Sequence, residues 1–499
     1  MPALRVGILH PDLGIGGAER LIVDAAIGLQ KLGHYVEIFT SHHDAGHCFE
    51  ETKDGSLSVH HIPSPFPRAL FGRFHIVFAI LSQLHLTIML LLAARNRSIP
   101  VCDVYMVDQL SACLPLLRWG LGRRVVFYCH FPDKLLAGGK VAPPNGVRQE
   151  SFIRRLYRLP ADWLEEKTTK QADAILANSK FTVRVFKNAF PTIATVPQVV
   201  YPGINVSAYE GAGFDASELG GIEGILNYPA LLSLNRFEGK KNLGLAIRAY
   251  AKFKASLSEG EGGSLKESLR LILGGGYDPR LKDNVDTLSA LRDLCASLNI
   301  TYHVYPPLSI PDNSEVHVPP FPDLVPGVTF LLNFTTPQRS AFLNSKNTLA
   351  LLYTPEHEHF GIGPVEAMVT RVPVLACESG GPTESINNVT TTSSNAEHPT
   401  GYLLPSTPEA FAKALRHLLF TMPPSTPLSN STAALTPVTL FSMDAMAHSL
   451  SSVLESTTAI SGKISLIKNT PDADVVGYGL WIIRGLCALA FVSVYMGWL

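Results

Sequence analysis

Residues 356–366 read EHEHFGIGPVE. Two carboxylates, Glu358 and Glu366, stand eight positions apart, with Phe360, Gly361 and Pro364 between them. The glycines are turn chemistry, and Val365–Thr370 reads as the opening of a helix. Glu358 then lies in a loop above a sheet and Glu366 near the start of a helix, so both can face one pocket. Carboxylates are strong acceptors, and two of them suit a ligand rich in hydroxyls, such as a sugar and a ribose. Taken alone, such a pair is more often a helix cap plus a solvated Glu. The flanking Ser-Gly-Gly-Pro at 379–382 shifts that balance.

Outward from this run the chain alternates. Leu4–Leu9 is a short apolar run suited to a buried parallel strand, followed by HPDLGIGGAER, a helix from about Gly17 to Leu32, and a strand at Tyr35–Phe39. Further strands are expected at 104–107, 125–128, 174–177 and 197–200, with helices around 150–171 and 179–189. Gly211–Gly224 is Gly-rich and polar and reads as a linker. Alternation restarts with strands at 231–234, 269–273, 301–305, 328–332, 350–353 and 372–376 and helices at 243–257, 287–298 and 408–419. The expected organisation is an α/β domain over 1–210, a linker over 211–228, a second α/β domain over 229–437, and a terminal helix and linker over 438–470. Residues 257–266, 306–327 and 421–436 are rich in Pro, Gly and Ser and read as surface loops.

The chain has 499 residues, 46% hydrophobic and 17% charged, with net charge −1 and no basic run, which excludes most nucleic-acid binders. Its seven cysteines are scattered without zinc spacing, which argues for a reducing compartment and against a structural metal. Sequons at Asn96, Asn205, Asn299, Asn333, Asn388 and Asn430 are expected to stay unmodified, since Met1–Arg5 leads straight into a strand. Two segments suggest a membrane. Phe74–Ala94 is long enough to span, yet His75, Gln83 and His85 interrupt it, and a buried helix is the alternative. Val475–Leu499 carries Arg484 inside and Trp481, Tyr495 and Trp498 towards its ends, as a tail anchor or interfacial helix would.

Four further features fall at expected C-terminal ends of strands, where open α/β sheets bind ligands. Gly14-x-Gly16-Gly17 lets backbone N–H groups approach a ligand at a helix N-terminus, although it is out of register for a dinucleotide fingerprint. Arg236, Lys240 and Lys241 follow the strand at 231–234 and suit a diphosphate. Gly380, Gly381 and Pro382 can again offer amides to a phosphate. His130 ends the strand at 125–128; a lone His is more often structural than catalytic. Asp162–Glu166 is read as opening a helix, with Glu165 complementing the helix dipole.

Together, HPDLGIGGAER, YCHFPD, DWLEEKTTKQADAILANSKFT, VVYPGIN, SLNRFEGKKNLGLAI, YTPEHEHFGIGPVEAM and SGGPTESI resemble the retaining glycosyltransferases of GT-B fold that carry a Glu-x7-Glu motif. Within them the chain is similar to the fungal lipid-linked-oligosaccharide α1,3/α1,6-mannosyltransferases of the asparagine-glycosylation pathway. Gly363 departs from that pattern, standing where a bulkier apolar residue is expected. The resemblance implies two Rossmann-like domains facing a central cleft, plus membrane-associated hydrophobic helices. It implies GDP-mannose as donor and a dolichyl-diphosphate chitobiose bearing one mannose as acceptor, extended by an α1,3- and then an α1,6-mannose.

The same resemblance implies roles for residues. Glu366 would hold the donor ribose and Glu358 would lie near the transferred mannose, with Phe360 and Gly361 also binding the donor. Arg236 and Lys241 would neutralise the leaving diphosphate, bordered by Gly16, Gly17, Gly380 and Gly381. His130 would approach the mannose or the acceptor. No metal or cofactor is expected, because cationic side chains and helix dipoles stabilise the leaving GDP. Asp472-Ala473-Asp474 then reads as a solvated linker. The expected place is the cytosolic face of the endoplasmic reticulum membrane, beside other mannosyltransferases of the pathway. Two alternatives remain: a transferase using a UDP-sugar on another lipid, and a catalytically silent membrane-bound sugar-nucleotide scaffold.

Overall fold

Short apolar runs without polar alternation become strands buried on both faces, and here they do so twice. In the computed structural model, β1 (Arg5–Asp12), β2 (Tyr35–His42), β3 (Ser58–His61), β4 (Val104–Asp108), β5 (Arg124–Cys129), β6 (Ala174–Ala177) and β7 (Gln198–Val199) form one sheet. Their order is β3-β2-β1-β4-β5-β6-β7, with every pair parallel. A second sheet holds β8 (Ala230–Leu234), β9 (Arg270–Gly275), β10 (Tyr302–Tyr305), β11 (Val328–Leu332), β12 (Thr348–Tyr353), β13 (Val374–Cys377) and β14 (Gly401–Leu404). Its order is β10-β11-β9-β8-β12-β13-β14, again all parallel. The sequence reading marked no strand at β3 or β14. Both are four-residue edge strands, and an edge needs little apolar surface to hold its place.

The structure describes residues 3–14, 16–46, 48–68, 74–138, 152–209, 219, 222–258, 262–305, 326–389, 399–422 and 439–460. The hydrophobic tail 475–499 and Asp472–Asp474 lie outside the described residues, as do most of the linker 211–228 and of the loops 306–327 and 421–436.

Helices cover both faces of the first sheet: α1 (Gly17–Lys31), α2 (His75–Arg95), α3 (Leu114–Leu121), α4 (Asp133–Gly138), α5 (Phe152–Thr169) and α6 (Lys180–Ala189). The segment expected either to span a membrane or to be buried is α2. Its Leu86 and Leu90 join Tyr105, Val107 and Phe127 in a core under the sheet. Gln83 Nε2 donates to Leu110 O at 2.6 Å. By length and composition α2 could cross a membrane, yet one face is built into this domain. Its other face leaves Ile88, Met89 and Leu92 exposed. The acids at 162–166 fall inside α5 rather than at its opening, because the helix begins ten residues earlier, at Phe152.

The last described helix, Met443–Thr458, returns to the first domain. Its Met446, Leu450, Val453 and Leu454 are buried in the core formed by β1 and α1, each worth roughly 1.5–3 kcal/mol of apolar burial. Gly28 permits the contact, since a Cβ there would stand 2.6 Å from Ala447 Cβ. At the crossing, Ile204 N–H donates to Phe441 O at 2.8 Å and Met443 N–H to Ile204 O at 2.9 Å.

Candidate functional site

In each sheet the strand order reverses direction once along the chain. The reversal lies between β1 and β4 in the first sheet and between β8 and β12 in the second. Ligands of open α/β sheets sit outside the carboxyl ends at such points. A cleft of about 1600 Å³ opens there, lined from the first domain by Gly17, Phe74 and His130 and from the second by Lys241, Glu358 and Gly361.

The Glu358 loop leaves β12 and turns through His357 (φ 56°) before Gly361 (φ 89°) starts the helix Ile362–Val369. Lys241, in the 3₁₀ turn Gly239–Lys241, bonds the Glu358 carboxylate. The turn is fixed from behind, because Thr354 Oγ1 donates to Lys241 O at 2.8 Å. Burial by itself would raise the Glu358 carboxyl. The Lys241 ammonium, through charge and hydrogen bond, outweighs that and holds it below its ordinary value. Next to it, burial pushes the His359 imidazole down to about 4, so this ring is neutral at physiological pH. It stacks on Phe131 of the first domain, with centroids 3.9 Å apart and planes 8° from parallel.

Opposite, three adjacent strands carry a polar row at their carboxyl ends. His10 is on β1, Asp108 ends β4, and His130 follows β5. His10 Nδ1 lies 2.8 Å from both Asp108 oxygens, and His130 Nε2 lies 3.0 Å from Asp108 Oδ2. His10 and Asp108 are fully buried, whereas His130 lines the cleft. The sequence reading named His130 but gave no role to His10 or Asp108. Their signal was position, since each stands at or near the C-terminal end of a strand beside the switch point.

The expected residues divide. Lys241, Glu358, His130, Gly17, Phe360 and Gly361 line the cleft. Gly16 lies at its border, where a Cβ would meet the Glu19 carboxylate and stand 3.3 Å from an Arg236 nitrogen of the opposite domain. Arg236 itself is largely exposed and loosely paired, 3.8 Å from Glu238.

Glu366 does not line the cleft beside Glu358. The helix begins at Ile362, which carries Glu366 inward, where it is buried, accepts from Tyr209 Oη and pairs with Arg339 Nη1, each at 2.7 Å.

Gly380 and Gly381 pack against the backbone of the Glu358–Phe360 loop. A Cβ at Gly380 would strike Glu358 O at 2.3 Å, and one at Gly381 would strike Phe360 O at 2.3 Å. Gly381 N–H already donates to Glu358 O at 2.7 Å. The glycines seat the carboxylate loop. Glu384, just beyond them, crosses to the first domain: it accepts from the N–H groups of Lys180 and Phe181 at 2.8 and 2.6 Å and from Tyr201 Oη at 3.1 Å. Ser179 Oγ donates to His359 O at 2.5 Å beside it. Glu165, expected to complement the dipole of its own helix, instead accepts from Asp133 and Lys134 N–H and caps α4.

Over residues 15–208 the chain matches Glycosyltransferase Family 4, and over residues 324–424 it matches Glycosyl transferases group 1. It is 42% identical over 421 residues to the alpha-1,3/1,6-mannosyltransferase ALG2 of Rhizomucor pusillus, covering 84% of each chain. To the protein of the same name from Saccharomyces cerevisiae it is 38% identical over 412 residues, 82% of this chain and 76% of that one. Among solved structures, sucrose-phosphate synthase from Thermosynechococcus elongatus aligns with a TM-score of 0.63 at 16% identity, over 92% of this chain and 100% of that one. That likeness concerns the fold, which is GT-B. The relatives do not favour the UDP-sugar transferase or the silent scaffold.

Proposed function

The chain belongs to the family of alpha-1,3/1,6-mannosyltransferases, and from that premise we propose that its donor is GDP-mannose and its acceptor a dolichyl-diphosphate chitobiose bearing one mannose. An α1,3-mannose is added first and an α1,6-mannose second. The nucleotide donor is an α-mannoside and the products are α-linked, so each transfer retains configuration at C1. The observation that carries this reading is the meeting of Lys241, Glu358 and His130 on one cleft at the switch points of both sheets.

In each transfer the bond from mannose C1 to the diphosphate oxygen breaks. A bond from C1 to the acceptor hydroxyl oxygen forms on the same face, and the hydroxyl proton passes to the departing diphosphate. The chain's task is to stabilise charge that builds on GDP. Lys241 and Arg236 are the cations for it, with α1 directing its N-terminus at Gly16 and Gly17 towards the same place. Lys241 meets the diphosphate by turning from Glu358, and the freed carboxylate accepts from mannose hydroxyls. In this reading Glu366 takes the ribose by exchanging its bond from Tyr209, and no metal is required for the charge balance.

We place the enzyme at the cytosolic face of the endoplasmic reticulum membrane. Exposed Ile88, Met89 and Leu92 on α2 support a lipid-facing side, and the first turn of the same helix lines the cleft.

The test uses the full chain in detergent with a phytanyl-diphosphate chitobiose carrying one mannose. GDP-mannose and UDP-sugars are offered separately with EDTA present, and products are read by mass. One and then two added hexoses from GDP-mannose alone are expected. Transfer from a UDP-sugar, or none from GDP-mannose, refutes the donor assignment.

A further inference from the structure

We infer that Asp108 and His10 are positioning residues for His130: the buried carboxylate holds His130 by its Nε2–H, so that Nδ1 meets the ligand as a bare acceptor for a sugar hydroxyl. Asp108 is fully buried, and a buried carboxylate is stable only where donors face it. The donors are two ring nitrogens, His10 Nδ1 at 2.8 Å and His130 Nε2 at 3.0 Å. Each must therefore carry its proton on the nitrogen nearest Asp108, and for His130 that leaves Nδ1 as the acceptor edge of a ring that lines the cleft.

The His130 backbone and ring have further neighbours. Asn178 Nδ2 donates to His130 O at 3.0 Å, and the Tyr128 ring lies against the imidazole with centroids 4.9 Å apart.

Charge is favoured next to the buried carboxylate. His10 is raised above its ordinary value: burial opposes this, but the attraction of Asp108, with Glu19 and Asp12 behind it, prevails. Asp108 is held low against its own burial, mainly by His10. Charge is thus favoured at the buried end, between His10 and Asp108. Among the described residues, the charged and titratable groups around the row include His10 and Asp12 on β1, Glu19 on α1, Asp108 on β4, Cys113 at the start of α3, and Tyr128 and Cys129 on β5. Glu358, His359 and Lys241 face it across the cleft.

That Nδ1 meets a sugar rests on the proposed mannosyl transfer; the tautomer itself does not, and the experiment separates them. In the full-length wild type with ¹⁵N-labelled histidine, and His130→Gln used for assignment, NMR without substrate is expected to show His130 protonated at Nε2. A proton on Nδ1 overturns the inference whatever the enzyme transfers. Asp108→Asn is expected to lower kcat about 100-fold or more, as loss of a tautomer-fixing carboxylate does elsewhere, with GDP affinity within about twofold. Its acid limb of kcat against pH moves to lower pH, because a negative charge has left the row. His10→Gln keeps an N–H for Asp108 and removes a positive charge, so the same limb moves to higher pH. Opposite displacements are outside the reach of a merely structural role. Unchanged pH profiles in both variants overturn the inference, and if Asp108→Asn fails to fold, the wild-type tautomer and His10→Gln decide it.

Discussion

Lys241 and Glu358, 117 residues apart, close an ion pair across the β8–β12 switch point, with side chains only 16% and 18% exposed. The site therefore stores its cation on its own carboxylate. Lys241→Ala should lower kcat by about 10²–10³, the scale of removing one contact to a developing anion. It should also cost stability at neutral pH by leaving a buried carboxylate alone. Glu358 is depressed below its ordinary 4.5. Its contribution is therefore present above that value and fades as acid protonates it at lower pH. Steady-state kinetics and melting at pH 7 and pH 4 check both parts, and turnover near that of wild type sinks the charge-neutralising role.

The Glu384 carboxylate ties the second domain to the first turn of α6 and to Tyr201. Glu384→Ala should lose about 1–2 kcal/mol, as removal of a helix cap does. It should also widen the cleft, raising KM for donor and acceptor together. Small-angle scattering with kinetics tests this, and an unchanged radius of gyration with unchanged KM would refute it.

Glu366 holds Tyr209 and Arg339. If ribose takes over one of these bonds, Tyr209→Phe should bind GDP as tightly as wild type or more so. Glu366→Gln should weaken GDP by about 1.5–3 kcal/mol, the range for a hydrogen bond to a charged group. Calorimetry with GDP reads both; weakened binding in Tyr209→Phe would show that the phenol itself serves the nucleotide.

Burial, with Asp133 nearby, pushes the Glu165 carboxyl up to about 7 from an ordinary 4.5, against the two amides it caps. Between those values the folded protein keeps a proton that the unfolded chain has lost. Stability therefore falls as pH rises through that window, by on the order of 3 kcal/mol at most. Glu165→Gln should flatten that fall. Melting midpoints of both proteins at pH 5 and pH 8 measure it, and an identical pH difference in the two excludes Glu165 as its source.

Gly28→Ala should destabilise, although alanine is the better helix former by about 1 kcal/mol. The added Cβ meets Ala447 at 2.6 Å, and overpacking costs about 1–3 kcal/mol. Adding Ala447→Gly should recover stability; if the single variant melts higher than wild type, the helix contact is looser than described.

The alternation of apolar runs and helices was legible because the central strands are buried on both faces and carry few polar breaks. Arg236, Lys241 and Glu358 could be named because strand-end loops announce themselves by glycine and charge. Edge strands β3 and β14 could not, since they bury too little to leave a pattern. Glu366 lies near the start of a helix as expected, but its partners Tyr209 and Arg339 come from distant segments and left no local sign.

By itself, the chain's sequence determined the two α/β domains, the family, and the segments that reach the cleft, because periodicity, turn glycines and strand-end polar residues act over a few neighbours. Partners were decided only in three dimensions. Asp108 between His10 and His130, Glu384 on α6, Glu165 on α4 and the Met443–Thr458 helix against Gly28 are all contacts between distant segments. A carboxylate's role depends on which donors surround it, and those donors come together only when the sheets and their covering helices close.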